Sequence, residues 1–261
     1  MNFDPKKILL TNDDGYTAVG LHKLASGLAQ CGYDVTIVAP SEDKSGAGHS
    51  MTVDRPLHLR KVLSSSFCLP EKVKIYSLTG TPTDCVSVAA NVLGPFDLVI
   101  SGINFGANLG DDVTYSGTFC AALEAYLHGL PAFAVSLTTN SILGEQHFET
   151  AVTVAIDFIE FMKSQDSPYS LYNINVPNLP REEIRGVLAT TQGIRRYDGA
   201  VQVITKKEHE MWLTVGGTPR DTHSPTFDVT AVDRGFVSVT PMQRDMTNTA
   251  ELEELRGYFK Q

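Results

Sequence analysis

The sequence predicts an α/β fold, with a doubly wound, mostly parallel sheet followed by a C-terminal antiparallel β arm. Three observations predict it. Over the first 140 residues, short apolar runs alternate with stretches of helical periodicity. Those runs are nearly continuous in apolar residues, as in strands covered on both faces by helices. After Pro180 the texture changes to strand-like segments with turn residues between them and few helical stretches.

The elements follow in order. Ile8-Leu9-Leu10-Thr11 is a first buried strand, ended by Asn12-Asp13-Asp14-Gly15. Leu21, Leu24, Ala25, Leu28 and Ala29 recur at helical spacing, and Gly32 is placed as the stop. Val35 to Ala39 is a β-branched run closed by Pro40, and Lys74–Leu78, Asp97–Ser101 and Ala132–Leu137 are further strands. Helical patterns fall at about 83–93, 118–128 and 147–163, and Leu171–Val176 is a strand closed by Pro177. Right-handed crossovers then leave a doubly wound sandwich as the leading architecture. Segments 185–192, 200–205, 210–215 and 235–240 form the arm. The expected organisation is a single domain over 1–261, with a core at 1–180, a β-rich arm at about 181–245 and a terminal helix at about 250–261.

Bulk properties narrow the function. Hydrophobic residues make up 42% of the 261 and charged residues 20%, values that suit a soluble protein with a substantial core. A formal charge of −9 argues against a surface that tracks nucleic-acid backbone or anionic lipid. It leaves room for a small phosphate ligand, because a bound cation inverts the local field. The N-terminus has no signal-peptide pattern, and no run of apolar residues is long enough to span a bilayer. Cys31, Cys68, Cys85 and Cys120 are scattered, without metal-ligand spacing. Reduced packing thiols in a cytoplasmic protein are the expectation.

Ligands of open α/β sheets bind beyond the carboxyl ends of the strands. Four loops there are rich in glycine and oxygen-bearing side chains: 12–15, 41–50, 79–84 and 101–110. In the first, Asp13 and Asp14 are adjacent carboxylates whose charges repel in a partly desolvated cleft unless a cation joins them. Ser45 and Asn104 offer neutral oxygens from neighbouring strand ends. An all-oxygen set suits Mg²⁺ or Mn²⁺ rather than Zn²⁺. The competing reading is an ordinary turn that caps the next helix. Tyr115-Ser116-Gly117-Thr118 enters the helix at 118–128 and forms either a phosphate cradle or a plain N-cap. Asp111 and Asp112 are pocket acids or loop acids, and His49 is the one histidine in a candidate loop. His22, His128 and His147 are expected at the surface and Trp212 in packing.

The chain resembles the SurE (survival protein E) nucleotidase family. The motifs that carry the resemblance are Ile8 to Gly15, Val38-Ala39-Pro40 through Lys44-Ser45-Gly46-Ala47, Gly80 to Cys85, Ser101-Gly102-Ile103-Asn104 with Asn108 to Asp112, and Tyr115 to Thr118. Pro131 to Ser136, Asn173 to Pro177 and Ala231 to Pro241 continue it in order over nearly the whole chain. The resemblance implies a Rossmann-like core and a C-terminal arm exchanged between subunits of a homodimer or homotetramer. It implies hydrolysis of nucleoside 5′- and 3′-monophosphates, with some action on short polyphosphate. It also implies one divalent cation per subunit held by Asp13, Asp14, Ser45 and Asn104. Asn12, Asn108, Ser116, Gly117 and Thr118, with Gly46, map to the phosphate pocket, and Asp13, Asn12 and Ser116 to catalysis. Val19 stands where the family often has Pro, His49 where it often has Asn or Ser, and 195–225 follows no motif.

The alternative function is a non-enzymatic, receiver-like metal-binding module, which also places paired acids after the first strand. Such a module needs an acceptor Asp after its central strand and a Lys after its last. Here those positions read Leu78-Thr79-Gly80 and Thr138-Thr139-Asn140. A dinucleotide-dependent oxidoreductase is disfavoured by a first loop without G-x-G-x-x-G.

Overall fold

The computed structural model describes residues 3–139, 143–165 and 169–259. The chain runs β1 (Lys7–Thr11), α1 (Val19–Gln30), β2 (Asp34–Pro40), β3 (Leu59–Val62), β4 (Lys74–Leu78), α2 (Pro82–Val92) and β5 (Leu98–Phe105). Next come α3 (Gly117–Leu127), β6 (Ala132–Thr138), α4 (Phe148–Lys163) and β7 (Leu171–Pro177). The remainder is β8 (Val187–Ala189), β9 (Ile194–Asp198), β10 (Val201–Lys206), β11 (Met211–Val215), β12 (Thr218–Thr222), α5 (Asp228–Asp233), β13 (Val237–Met242) and α6 (Thr249–Phe259). Asn140 and the last two residues of the expected terminal helix lie outside the described residues.

Among the described residues, nine strands form one sheet in the order β3-β4-β2-β1-β5-β6-β7-β13-β8. The six from β4 to β7 are mutually parallel. Their chain order runs outward in opposite directions from β1 and β5, so the crevice between these two strands is the topological switch point where such sheets bind ligands.

Both faces of the sheet are covered, which explains the continuous apolar runs. Ile8 and Leu10 of β1 pack into one cluster with Leu21, Leu24 and Leu28 of α1 and with Phe148, Ala151 and Ile159 of α4. Leu9 points the other way, into a cluster with Cys85, Val86 and Ala89 of α2 and Phe119 and Ala122 of α3. Phe133, Val135 and Leu137 of β6 face the first cluster while Ala132 and Ala134 face the second. A strand buried on both sides loses the alternation of a half-exposed one.

Two close approaches fix the helices. A Cβ on Gly20 would lie 2.2 Å from the Ile103 carbonyl oxygen, so only glycine lets α1 sit this close to β5. At α2, the Thr81 hydroxyl accepts from the Asp84 N–H (3.1 Å) and Asp84 Oδ2 accepts from the Thr81 N–H (2.8 Å), a reciprocal cap with Pro82 in the first turn.

The structure modifies several expectations from the sequence. β8 and β13 join the main sheet: β13 runs antiparallel beside β7, and β8 parallel beside β13. The projecting part therefore narrows to a long hairpin, with β9 and β12 paired at its stem and β10 and β11 at its tip. Trp212 on that tip is exposed rather than packed. Cys85 and Cys120 are buried, but Cys31 and Cys68 are exposed.

Candidate active site

The cavity at the β1/β5 crevice has a volume of about 660 Å³. Of the residues expected at a site, Asp13, Ser45, Gly46, Asn104, Asn108 and Ser116 line it together. Asn12, Asp14, Gly117 and Thr118 lie next to or near these residues in the chain without being among those that line the cavity, and what each does follows from its hydrogen bonds and close approaches.

Asp13 leaves the end of β1 and is buried. Thr118, fully buried in the first turn of α3, donates to it twice, through its N–H to Oδ2 (3.1 Å) and through its hydroxyl to Oδ1. A Cβ on Gly117 would lie 2.9 Å from Asp13 Cβ, so glycine is what allows the helix start to reach the carboxylate. Burial raises the Asp13 pKa, against the pull of the Thr118 bonds. Asp14 is pushed up to about 7, first by burial and then by the negative charge of Asp13. The Phe105 N–H, 3.2 Å from Asp14 Oδ2, works the other way and ties Asp14 to the residue after Asn104. Two carboxyls destabilised as anions in one place are what a bound cation relieves.

The neutral groups are oriented to match. Asn104 Nδ2 donates to the Gly106 carbonyl (2.9 Å), which leaves its Oδ1 as an open acceptor. The Ser45 N–H donates to Asp43 Oδ1 (2.7 Å), fixing the turn that presents the Ser45 side chain. Asn12 Nδ2 holds the turn through the Gly15 carbonyl (3.0 Å), while its buried Oδ1 has no hydrogen-bond partner among the described residues. Among the described residues no three His, Cys, Asp or Glu side chains gather as a metal-binding group. A cation here would draw on two carboxylates and neutral oxygens, a set that fits a hard divalent ion.

Ser116 is the N-cap of α3, its hydroxyl accepting from the Phe119 N–H (2.9 Å). The Thr118 N–H is taken by Asp13, so of the three first-turn amides the Gly117 N–H alone has no acceptor among the described residues. The cap and the cradle are thus the same turn, with fewer free amides than the motif alone suggests. Asn108 is pinned by a buried network. Its N–H donates to Asn175 Oδ1 (2.9 Å), its carbonyl accepts from Asn173 and Asn175 (2.8 and 3.0 Å), and its Nδ2 meets the Ser136 hydroxyl (2.8 Å). That hydroxyl bonds in either sense, so the amide can turn either its oxygen or its donors to the cavity.

Asp112, one of the two acids offered for the pocket, and Tyr115 of the cradle motif line the same cavity, and the hairpin adds a wall with no counterpart in the sequence reading: Tyr197, Ala200, Val215 and Gly216. Asp112 accepts from the Tyr197 hydroxyl (2.7 Å) and from Arg195 Nη1 (3.2 Å), and Arg195 also makes a two-pronged pair with Asp221 (2.7 Å each). Burial works against the Arg195 charge, but Asp221 and Asp112 more than offset it and hold its pKa above the usual value. Tyr197 is pushed up to about 12 by burial and by Asp112, so the phenol stays protonated and donating. The one available signal was Arg195 and Tyr197 in a segment otherwise poor in apolar residues. His49 points away from this cavity, pairing with Glu124 on α3 (3.0 Å).

The sequence profile of the family described as Survival protein SurE matches residues 8–199. The 5′-nucleotidase SurE of Laribacter hongkongensis (strain HLHK9) is 45% identical over 262 residues, 97% of this chain and 99% of its own length. That of Stenotrophomonas maltophilia (strain K279a) is 41% identical, over 97% of this chain and 95% of its own. The crystal structure of Sure protein from Aquifex aeolicus matches with a TM-score of 0.81 at 33% identity, covering 98% of this chain and all of that one.

Proposed function

The chain belongs to the Survival protein SurE family, and from that premise we propose that it is a divalent-metal-dependent phosphomonoesterase. It hydrolyses nucleoside 5′-monophosphates to nucleoside and phosphate. The same site would accept 3′-monophosphates and short polyphosphate. The observation that carries this reading is the buried Asp13 carboxylate lining a switch-point cavity, with Asp14 next to it in the chain and the first turn of α3 donating to it.

Asp13, Asp14, Ser45 and Asn104 would hold one cation, Mg²⁺ or Mn²⁺. Such an ion supplies Lewis-acid polarisation of a phosphoryl oxygen and neutralises charge in the transition state. The rest of the work falls to the chain. The Gly117 N–H, the Ser116 side chain and the positive end of α3 face the phosphoryl oxygens. Asn108, fixed by Asn173, Asn175 and Ser136, and the Gly46 turn hold the remaining phosphate edge. Asp13 orients the attacking water and accepts its proton, its carboxylate held in place by the two Thr118 donors. Asn12 keeps the 12–15 turn in shape and Thr118 keeps Asp13 aimed. We place the protein in the cytoplasm as a homodimer or homotetramer joined through the hairpin. No helix among the described residues is long and apolar enough to cross a membrane.

The test is phosphate release from AMP before and after chelation. Release should stop when the metal is removed and return with Mg²⁺ or Mn²⁺. Full activity in protein shown to be metal-free by elemental analysis would overturn the metal assignment. No release from any nucleoside monophosphate would overturn the nucleotidase reading.

A further inference from the structure

The cavity has two chemically different ends. One is made of carboxylate, amide and hydroxyl groups from the strand ends and the start of α3. The other comes from the hairpin, where Tyr197 on β9 stands beside Ala200, Val215 and Gly216, and the Gly216 N–H closes onto the Ala200 carbonyl (2.9 Å). A phosphate group alone would fill a small part of about 660 Å³, a volume typical of sites that enclose a whole small molecule.

The Tyr197 ring has the properties of a recognition surface. Its hydroxyl is anchored to Asp112, while the residue keeps 38% of its surface exposed. A ring held at its tip offers apolar area at little conformational cost. Its neighbours are small: a side chain built on Gly216 would meet no atom within 4 Å, so the space beside it is open. The Arg195–Asp112–Asp221 cluster fixes this wall to the same loop that leads into Tyr115 and Ser116. Tyr115, itself exposed, adds a second ring to the cavity from the core side.

We propose that the hairpin stem is the leaving-group pocket, in which the Tyr197 ring stacks on the base of a bound nucleotide while Ala200 and Gly216 leave room for it. Tyr197 is then the residue that separates nucleotides from small aliphatic phosphate esters. This rests on the nucleotidase reading and adds the side chain that selects the leaving group. Stacking of a base on an aromatic ring is sequence-tolerant, so the pocket favours a flat base without choosing sharply among bases.

The measurement is the ratio of kcat/KM for AMP to kcat/KM for glycerol phosphate, taken on one preparation so that any inactive fraction cancels. Tyr197→Ala should lower this ratio about tenfold, mainly through KM for AMP. Tyr197→Phe, which keeps the ring, should recover most of the loss. Ala200→Leu, which adds bulk on the same wall, should also lower the ratio. If Tyr197→Ala and Ala200→Leu both leave it within about twofold of wild type, the proposal is wrong. An equal loss on both substrates would assign Tyr197 a structural role and also overturn it. A wild-type protein inactive on AMP would instead remove the nucleotidase reading, so the two failures are told apart.

Discussion

Asp13 and Asp14 are neighbours in sequence but are held in different ways. Asp13 is gripped by two donors from Thr118, whereas Asp14 has one backbone donor from Phe105. Both pKa values are raised above the unfolded value, so the sign is the same for each. Their charge destabilises the metal-free fold increasingly as pH climbs from the ordinary carboxylate range through the folded pKa. Asp13→Asn removes one buried charge and keeps the shape, so the melting temperature of the metal-free variant near neutral pH should equal or exceed that of wild type. Turnover of AMP with saturating metal should fall at least about a hundredfold, since even partners behind a ligand cost 10–100-fold. Activity within about threefold of wild type would take Asp13 out of the mechanism. The place of this pair was legible in the sequence, because a strand that runs into Asn12-Asp13-Asp14-Gly15 delivers both acids to the carboxyl edge of the sheet. The role of Thr118 was not. A threonine in a helix's first turn reads as a cap or a ligand contact, and only the fold shows that it faces Asp13, 105 residues away in the chain.

The strands of the core announce themselves because burial on both faces makes Ile8 to Leu10, Val35 to Ala39 and Leu98 to Ile100 uninterrupted apolar runs. β9 (IRRYD) and β12 (TPRDT) carry no such pattern, since their pairing is held by main-chain bonds and by ions rather than by a core. β13 was legible as a strand but not as a member of the main sheet. Val237 and Val239 pack with Ile174 and Val176 of β7, and alternation alone does not say which sheet a strand joins. At the hairpin's stem, Arg195 has one-ninth of its side chain exposed and faces two carboxylates that are themselves mostly covered. Removing one partner of such a cluster costs about 3–5 kcal/mol, because like charges are left together without compensation. Arg195→Ala should therefore release the hairpin while the core stays folded, as expected of a unit with few buried apolar contacts. Amides of β9 and β12 should exchange hydrogen at least about a hundredfold faster than in wild type, with β1 and β5 unchanged. Unaltered exchange in β9 and β12 would show that the hairpin is held by something other than this ion cluster.

The protomer as a whole carries two projections that its own core does not cover. Among the described residues the tip strands β10 and β11 pair only with each other, and Val203, Ile204, Trp212 and Leu213 are exposed, Trp212 by 63%. α6 buries none of its described residues, and Leu255 and Tyr258 face solvent. A two-stranded ribbon is marginal in water on its own, and so many exposed apolar side chains on one ribbon mark an interaction site. Exchange of hairpins between subunits would cover it, each tip packing on the other protomer, an arrangement that closes under two-fold symmetry. Deleting roughly 195–220 would be a blunt test, because Arg195 and Tyr197 would go with the tip. Substituting Ile204, Trp212 and Leu213 together by Ser is cleaner: these side chains are exposed in the protomer, so its fold should survive. Light scattering at micromolar concentration should show wild type as a dimer or a dimer of dimers and the triple variant as a smaller species. Circular dichroism should show both folded. Wild-type protein that is monomeric under those conditions would leave the exposed tip without the partner argued for it, and the exchange model would fall.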